Sequence, residues 1–447
     1  MSGRRAPSLD LLFETLSQHE RKFNRSFSLI PSENRLSPLA RAAFLSDAFS
    51  RYFFDEHETF GRWSFEGGSI AGRIQQEIVV PLLAEFGRAR FVNLHPVSGL
   101  TGMTLGLAAF GGPPGSAVLS VPVACGGHPD TGYVARKLGY EVHELPFEGW
   151  ERLDLELLGE HVERLDPTLI YVDHATALLP LDLEAMIATV RRAAHRHVHV
   201  HVDTSHVNGL VWAGQLPNPL VCGADSYGGS THKTFPGPHK AVLFTNDPDV
   251  AERLTLTAVN MISHHHLSSV VALGITLLEF RDCGGAAYAA QIIRNAQAFA
   301  HALAQRDVAV QGPPGAYTKT HQVWAATPTP SDAHGLASRL FRAGLVVNPY
   351  DPLPSLGGLG IRMGVNEPTR LGLREPDMDV LAEAYAAITL GGMAPEVVAP
   401  TVAELRAGFE TAYCYPEPEC STALATLAAA LEDVRVRHLL DLTAGNS

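Results

Sequence analysis

The sequence has no lysine- or arginine-rich run, and its 34 basic residues are outnumbered by 47 acidic ones, for a net charge of -13. A balance of that sign makes nucleic acid an unfavourable partner. No stretch reaches 18 uninterrupted apolar residues, and Arg4 and Arg5 are not followed by an apolar segment. Neither a membrane span nor a secretory leader is expected, and the expected location is cytoplasmic. Cysteines are few, odd in number and scattered: Cys125, Cys222, Cys283, Cys414 and Cys420. They fit neither a disulfide framework nor a zinc spacing and read as reduced thiols. Internal repeats and low-complexity tracts are also absent. What remains is 447 residues, 46% hydrophobic and 18% charged, which describes a soluble, enzyme-like globular chain of two packed units.

Leu9, Leu11, Leu12, Phe13 and Leu16 form a helical stripe behind a Ser8 cap, read as an N-terminal arm over residues 1–28. A turn-rich segment, Leu29 to Asn34, brings Ser32, Glu33 and Asn34 together, either to cap a helix or to meet a ligand carboxylate. Ser50 to Gly68 mixes aromatic and charged residues with no period, which suits a binding loop or subunit interface. Ala71 to Phe86 reads as a helix with one buried face. Between residues 90 and 245, short apolar runs alternate with helical patterns. The strand candidates are Arg90–Asn93, Ser116–Val121, Glu141–Leu145, Leu169–Val172, His199–Asp203 and Ala241–Phe244. This alternation implies an α/β fold with a mostly parallel sheet, whose ligands sit at the carboxyl ends of the strands. A large domain over 29–284 and a smaller C-terminal α/β domain over 285–447 are expected.

The chemistry concentrates in a few places. Ser98, Gly99 and Thr101 follow a strand and open a helix, where bare N–H groups and the helix dipole attract an anion such as phosphate; simple capping is the plainer explanation. His197, His199, His201 and Asp203 alternate, so on a strand they share a face. A metal rack is one reading, but no metal is expected, because side chains two apart diverge as ligands. Asp203 ends a buried strand and points at the ligand crevice, where a carboxylate can hold a pyridinium nitrogen protonated. His128 and His206 follow strands and fall near the same crevice. The run His264 to His266 has no further ligand spacing and reads as loop residues at an interface. Lys233, among small residues and before the turn Pro236-Gly237-Pro238, is either a surface lysine or an amine that forms Schiff bases.

Together, Ser98-Gly99, His128, Asp203 and Lys233 match the needs of pyridoxal 5'-phosphate. The sequence resembles the serine hydroxymethyltransferase-like members of the fold type I pyridoxal phosphate enzymes. The matching pieces lie in order at Leu29 to Pro38, Pro96 to Gly102, Gly126 to His128, Val202 to Leu210, Thr231 to Pro238 and Ile361 to Gly364. The resemblance implies Lys233 as the Schiff-base lysine, Asp203 on the pyridine nitrogen, His128 stacked on the ring and His206 near the phenolic oxygen. It further implies Ser98, Gly99 and Thr231 around the phosphate with His232 beside the cofactor, and Ser32 and Arg362 on the substrate carboxylate. Tyr52 would enter from the partner subunit of a homodimer with shared active sites, so that Lys233, His128, Asp203 and Tyr52 are the catalytic candidates.

Four departures separate the sequence from hydroxymethyltransferases. A glutamate tied to folate chemistry is replaced within Tyr52-Phe53-Phe54, paired tyrosines by Ser64-Phe65, a glycine-rich loop by Ser263 to Leu267, and the last serine of the phosphate turn by Leu100. They leave the amino-acid chemistry and erode the folate site. The pattern is similar to the L-threonine transaldolases of natural-product pathways. The implied reaction cleaves L-threonine to acetaldehyde and a glycine quinonoid, which adds to a second aldehyde to give a β-hydroxy-α-amino acid. The alternatives are a folate-dependent serine or α-methylserine hydroxymethyltransferase, a threonine aldolase, and a noncatalytic homologue that binds the cofactor. An aromatic loop over 52–65 admits an aryl or a nucleoside aldehyde as acceptor.

Overall fold

Six short runs and one glycine-rich segment become seven strands of one sheet: β1 (Phe91–Asn93), β2 (Ala117–Ser120), β3 (Glu141–Glu144), β4 (Leu169–Val172), β5 (His199–Asp203), β6 (Ser226–Ser230) and β7 (Ala241–Thr245). The computed structural model describes residues 7–54, 61–63, 65–328 and 332–431. Within the aromatic segment between Ser50 and Gly68, residues 55–60 and 64 lie outside the described residues.

The strand order is β1-β7-β6-β5-β4-β2-β3. Neighbours from β6 through β3 pair in parallel, while β7 runs antiparallel to both β6 and β1. The sheet is thus mostly parallel, as the alternating pattern implied. β4 is buried at every position, and β5 at all but its last, as in strands covered on both faces.

β6 was absent from the expected strands. Its sequence, Ser-Tyr-Gly-Gly-Ser, has low strand propensity and reads as part of the loop around Lys233. It is a central strand whose two glycines are required by its neighbours: a Cβ on Gly228 would stand 2.0 Å from the Val242 carbonyl oxygen.

Helices begin where the sequence offers caps. The Ser8 Oγ accepts from Leu11 N at 3.1 Å to start α1 (Leu9–Phe23), and Ser98 does the same for α2 (Gly99–Phe110). His128 caps α3 (Pro129–Lys137) and Asp182 caps α4 (Leu183–Ala193). Such caps are worth about 1 kcal/mol each.

The chain forms two compact units. One combines the residues up to Glu33 with Ile293–Ala412, and the other combines Asn34–Ile292 with the chain from Tyr413 onward. The second holds the seven-stranded sheet. The first holds an antiparallel sheet in the order β8-β10-β9, made of β8 (Gln322–Ala325), β9 (Asn348–Leu353) and β10 (Gly358–Gly364). In that unit Phe27–Ser28 also pairs in parallel with Leu345–Val346. All five cysteines are free thiols. Among the described residues no helix is long and apolar enough to cross a membrane.

Candidate functional site

The carboxyl ends of the parallel strands gather acidic, hydroxyl and imidazole groups. Asp203 closes β5. Its Oδ1 accepts from Ser205 N at 2.8 Å and its Oδ2 from the Tyr171 hydroxyl at 3.0 Å. Burial, with the charges of Asp203 and Asp173 adding, pushes the Tyr171 phenol well above its ordinary pKa, so it stays a donor. Asp173 is the first residue past β4. The register Val172 opposite Val202 sets it beside Asp203, one strand spacing or about 4.8 Å away along the sheet. Its Oδ2 accepts from His128 N at 3.0 Å and from the Thr131 hydroxyl. Burial raises the Asp173 pKa well above the carboxylate range, and the Asp203 charge adds to it.

From the edge strand of the sheet, the turn after β1 delivers Ser98 and Gly99 to the start of α2. Ser98 Oγ accepts from Thr101 N at 3.2 Å. A Cβ on Gly99 would lie 2.2 Å from Ser230 Oγ, so only glycine lets the helix N-terminus approach the end of β6. His128 is held twice: its backbone N–H by Asp173, and its Nδ1 as acceptor from Asp130 N at 3.2 Å. In the neutral ring that leaves the proton on Nε2.

Lys233 follows β6. Its carbonyl accepts from Asn34 Nδ2, which also bonds the Tyr288 hydroxyl at 2.8 Å. Thr234 Oγ1 donates to the His206 carbonyl at 2.9 Å and accepts from Gly209 N at 3.2 Å, tying the lysine loop to the loop after β5. His232 stacks on His239 with centroids 3.8 Å apart. Burial, with electrostatic repulsion from His239 and Lys233 adding, drives the His232 pKa down to about 3.

These groups line one cavity of about 270 Å³. Of the residues expected at the cofactor, Ser98, Gly99, His128, Asp203, His206, His232 and Lys233 line it. Thr231 does not: it is fully buried and its hydroxyl donates to the Pro238 carbonyl at 2.7 Å. Tyr52 is also outside the lining, with its exposed ring 4.4 Å from Phe65 and 5.1 Å from His264. Ser32 and Arg362 belong to the other unit. There the loop carrying Ser32 is fastened to the strand carrying Arg362, since Gly364 N donates to the Leu29 carbonyl at 2.7 Å. The Arg362 guanidinium bonds Asn348 Oδ1 at 3.0 and 3.2 Å and lies 4.1 Å over Tyr350. Burial lowers its pKa to about 10, which leaves it cationic at neutral pH.

The cavity also contains residues that the sequence reading passed over: Asp173, Ser205, Ser230 and His239. Asp173 was within reach of the rule that found Asp203, because it too follows a buried apolar run. Ser230 and His239 depended on recognising β6 and the loop after it.

The histidine-rich segments lie elsewhere in the same unit. His199 Nε2 and His201 Nδ1 both meet Ser226 Oγ at 2.8 Å, and Phe110 stacks on His199. Ligand atoms of His197, His199 and Asp225 lie within 4.8 Å of one another, but Arg191 already pairs with Asp225 at 2.8 Å. The 264–266 run braces the aromatic segment: His264 Nδ1 accepts from Phe53 N at 3.1 Å, and His265 N donates to the Phe53 carbonyl at 3.2 Å. Lys240, fully buried, donates to the His265 carbonyl at 2.9 Å, and burial brings its pKa down to about 7.

Comparison with known proteins places this geometry. The family model described as serine hydroxymethyltransferase matches residues 9–384. An L-threonine:uridine-5'-aldehyde transaldolase from Streptomyces sp. is 39% identical over 82% of this chain and 89% of its own length. One of the same name from Amycolatopsis sp. is 40% identical over 83% of this chain and 89% of its own. The crystal structure of an L-threonine transaldolase from Pseudomonas fluorescens matches with a TM-score of 0.84 at 27% identity, covering 94% of this chain and 97% of that one.

Proposed function

The chain belongs to the serine hydroxymethyltransferase family, and from that premise we propose that it is a pyridoxal 5'-phosphate-dependent L-threonine transaldolase. The observation that carries the proposal is one cavity lined at once by an amine (Lys233), a strand-end carboxylate (Asp203) and an open helix N-terminus (Gly99). This donor set fits the cofactor. The helix start, kept bare by glycine, suits a phosphate, the carboxylate suits a protonated ring nitrogen, and the amine suits an aldehyde. When bound, the cofactor supplies an electron sink for the charge left at the amino acid's α-carbon.

In this reading Lys233 is the attachment amine and Asp203 holds the ring nitrogen's proton, kept in orientation by Ser205 and Tyr171. His128 lies against the ring and His206 by the phenolic oxygen. Ser98 and Gly99 serve the phosphate, with His232 alongside, while Thr231, its hydroxyl bonded to the Pro238 carbonyl, shapes the loop behind them. Ser32 and Arg362 hold the substrate carboxylate, a charge-assisted pair that fixes which α-carbon bond is broken. Tyr52 comes from the partner subunit of a homodimer. His128 or Tyr52 takes the proton from the threonine hydroxyl as acetaldehyde departs, and returns it to the alkoxide formed when the second aldehyde accepts the α-carbon. The net exchange is threonine plus acceptor aldehyde to acetaldehyde plus a new β-hydroxy-α-amino acid.

The names of the two bacterial relatives make a nucleoside 5'-aldehyde the first acceptor to try, beside aryl aldehydes. The test is incubation of the cofactor-loaded protein with L-threonine and such a panel. Acetaldehyde release with a condensed amino acid is expected. Neither product with any acceptor overturns the proposal, and free glycine accumulating without an acceptor makes the protein a threonine aldolase instead.

A further inference from the structure

Lys240 stands immediately before β7, wholly inside the protein, and the proposed reaction has no use for its amine. Among the described residues that amine has one hydrogen-bond acceptor, the His265 carbonyl at 2.9 Å, and no carboxylate pairs with it. The buried imidazoles of His95 and His265 are held below their ordinary pKa by burial, with the Lys240 charge adding, so they stay neutral. An apolar side chain of the same length would cost less stability in such a place. The amine is therefore kept for what its one bond holds.

That bond holds the segment on which Tyr52 depends. His264 and His265 clasp the backbone just after Tyr52: His264 Nδ1 accepts from Phe53 N at 3.1 Å, which fixes the peptide between Tyr52 and Phe53, and His265 N donates to the Phe53 carbonyl at 3.2 Å. The Phe53 ring lies on His265 with centroids 4.6 Å apart, and the Tyr52 ring lies against His264 at 5.1 Å. Tyr52 itself is exposed and outside the lining of its own chain's cavity, so the clasp and the Phe65 ring set where its hydroxyl points. Lys240 is also fastened to the lysine loop. Its carbonyl accepts from Thr231 N at 3.0 Å, and the Thr231 carbonyl accepts from Gly237 N at 2.9 Å, closing the turn around Lys233.

We infer that Lys240 is a positioning residue for the transaldol exchange: by holding the His265 carbonyl it sets the backbone clasp that places Tyr52, and it ties that clasp to the loop carrying Lys233. The inference rests on the proposed function and deepens it. Lys240, Phe53, His264 and His265 line no part of the cavity, so their effect falls on proton transfer at Tyr52 and not on cofactor binding.

The test measures kcat and KM for acetaldehyde release from L-threonine, with an acceptor aldehyde and saturating pyridoxal 5'-phosphate, in the full-length wild type, Lys240→Met, Tyr52→Phe and the double variant. Lys240→Met is expected to lower kcat about tenfold, with cofactor affinity and the KM for L-threonine within about twofold of wild type. In the Tyr52→Phe background the same change is expected to cost less than about twofold, because no hydroxyl is left to place. Equal losses in both backgrounds overturn the inference. His264→Ala and His264→Asn test the clasp from its other end, and decide it even where Lys240→Met fails to fold. Ala is expected to lose kcat as Lys240→Met does, and Asn, whose Oδ1 can accept from Phe53 N, to recover it; an Asn variant no better than Ala overturns the inference. Tyr52→Phe with the wild-type kcat gives the proton to His128 and overturns this inference while the proposed function stands. A wild-type protein that releases no acetaldehyde overturns that function, and the inference with it.

Discussion

Tyr171 and Asp203 meet across two neighbouring strands, the phenol hydroxyl donating to the carboxylate Oδ2 at 3.0 Å. Tyr171 is fully buried and its ring stacks on His201, with centroids 4.9 Å apart, so the hydroxyl has a fixed direction. With Ser205 N on the other oxygen, it holds the carboxylate in one orientation before any ligand arrives. Tyr171→Phe removes a donor to a charged acceptor without changing the packing. The expected result is about tenfold weaker pyridoxal 5'-phosphate binding, some 1.4 kcal/mol, with an unchanged thermal midpoint of the cofactor-free protein. Reconstitution titration checks it, and an unchanged affinity would show that Ser205 alone orients Asp203.

Gly229 has φ +142°, and an added Cβ would stand 2.3 Å from Ser205 Oγ and 2.8 Å from Asp203 Oδ1. Gly229→Ala therefore displaces the two groups that define the floor of the cavity. Cofactor affinity is expected to fall at least tenfold, with visible absorbance lost at micromolar cofactor, while far-ultraviolet circular dichroism keeps its helical signature.

Lys240 makes stability depend on pH. Its pKa drops from the ordinary 10.5 to about 7 because the amine is fully buried. Between those values the unfolded chain binds a proton that the folded chain does not, so this group makes stability rise with pH across that window. Below about pH 7 both states are protonated and the cost of the buried charge is at its full, constant value. Lys240→Met removes this dependence. Relative to wild type, its thermal midpoint is expected to be most favourable at pH 7 and below and to lose that advantage towards pH 10. Parallel midpoint curves for the two proteins over that range would sink the assignment.

Arg362 is buried against Asn348 and Tyr350 in a setting that lowers its pKa only to about 10, so it stays a fixed cation, the group that the proposed function sets on the amino-acid carboxylate. Replacing a charge-assisted bond costs about 1.5–3 kcal/mol, or roughly ten- to a hundredfold. Arg362→Ala is expected to raise the KM for L-threonine by that factor while the affinity for pyridoxal 5'-phosphate stays as in wild type. A loss of cofactor affinity with KM unchanged would assign the arginine elsewhere.

Much of the site was legible because its signals are local. Asp203 stands at the end of an apolar alternation, Ser98 and Gly99 at a strand-to-helix turn, and Lys233 before a Pro-Gly-Pro turn; each is a statement about chain neighbours. Tyr171, Asp173, Ser230 and Lys240 were passed over because what makes them matter is not near them in the chain. Tyr171 reads as one more apolar strand residue until β5 is laid beside β4. Lys240 reads as a surface cation until it is found to be fully buried and bonded to His265.

The order of elements, the mostly parallel sheet and the strand-end carboxylate were determined by the sequence alone, because hydrophobic periodicity and turn chemistry act over a few residues. Tertiary structure decided the rest. It made the glycine- and serine-rich Ser226–Ser230 a central strand, where close packing against Val242 and Ser205 leaves no room for a side chain at Gly228 or Gly229. It also set Asp173 beside Asp203 on adjacent strands, where register and burial, which no local pattern encodes, push the Asp173 pKa well above the carboxylate range.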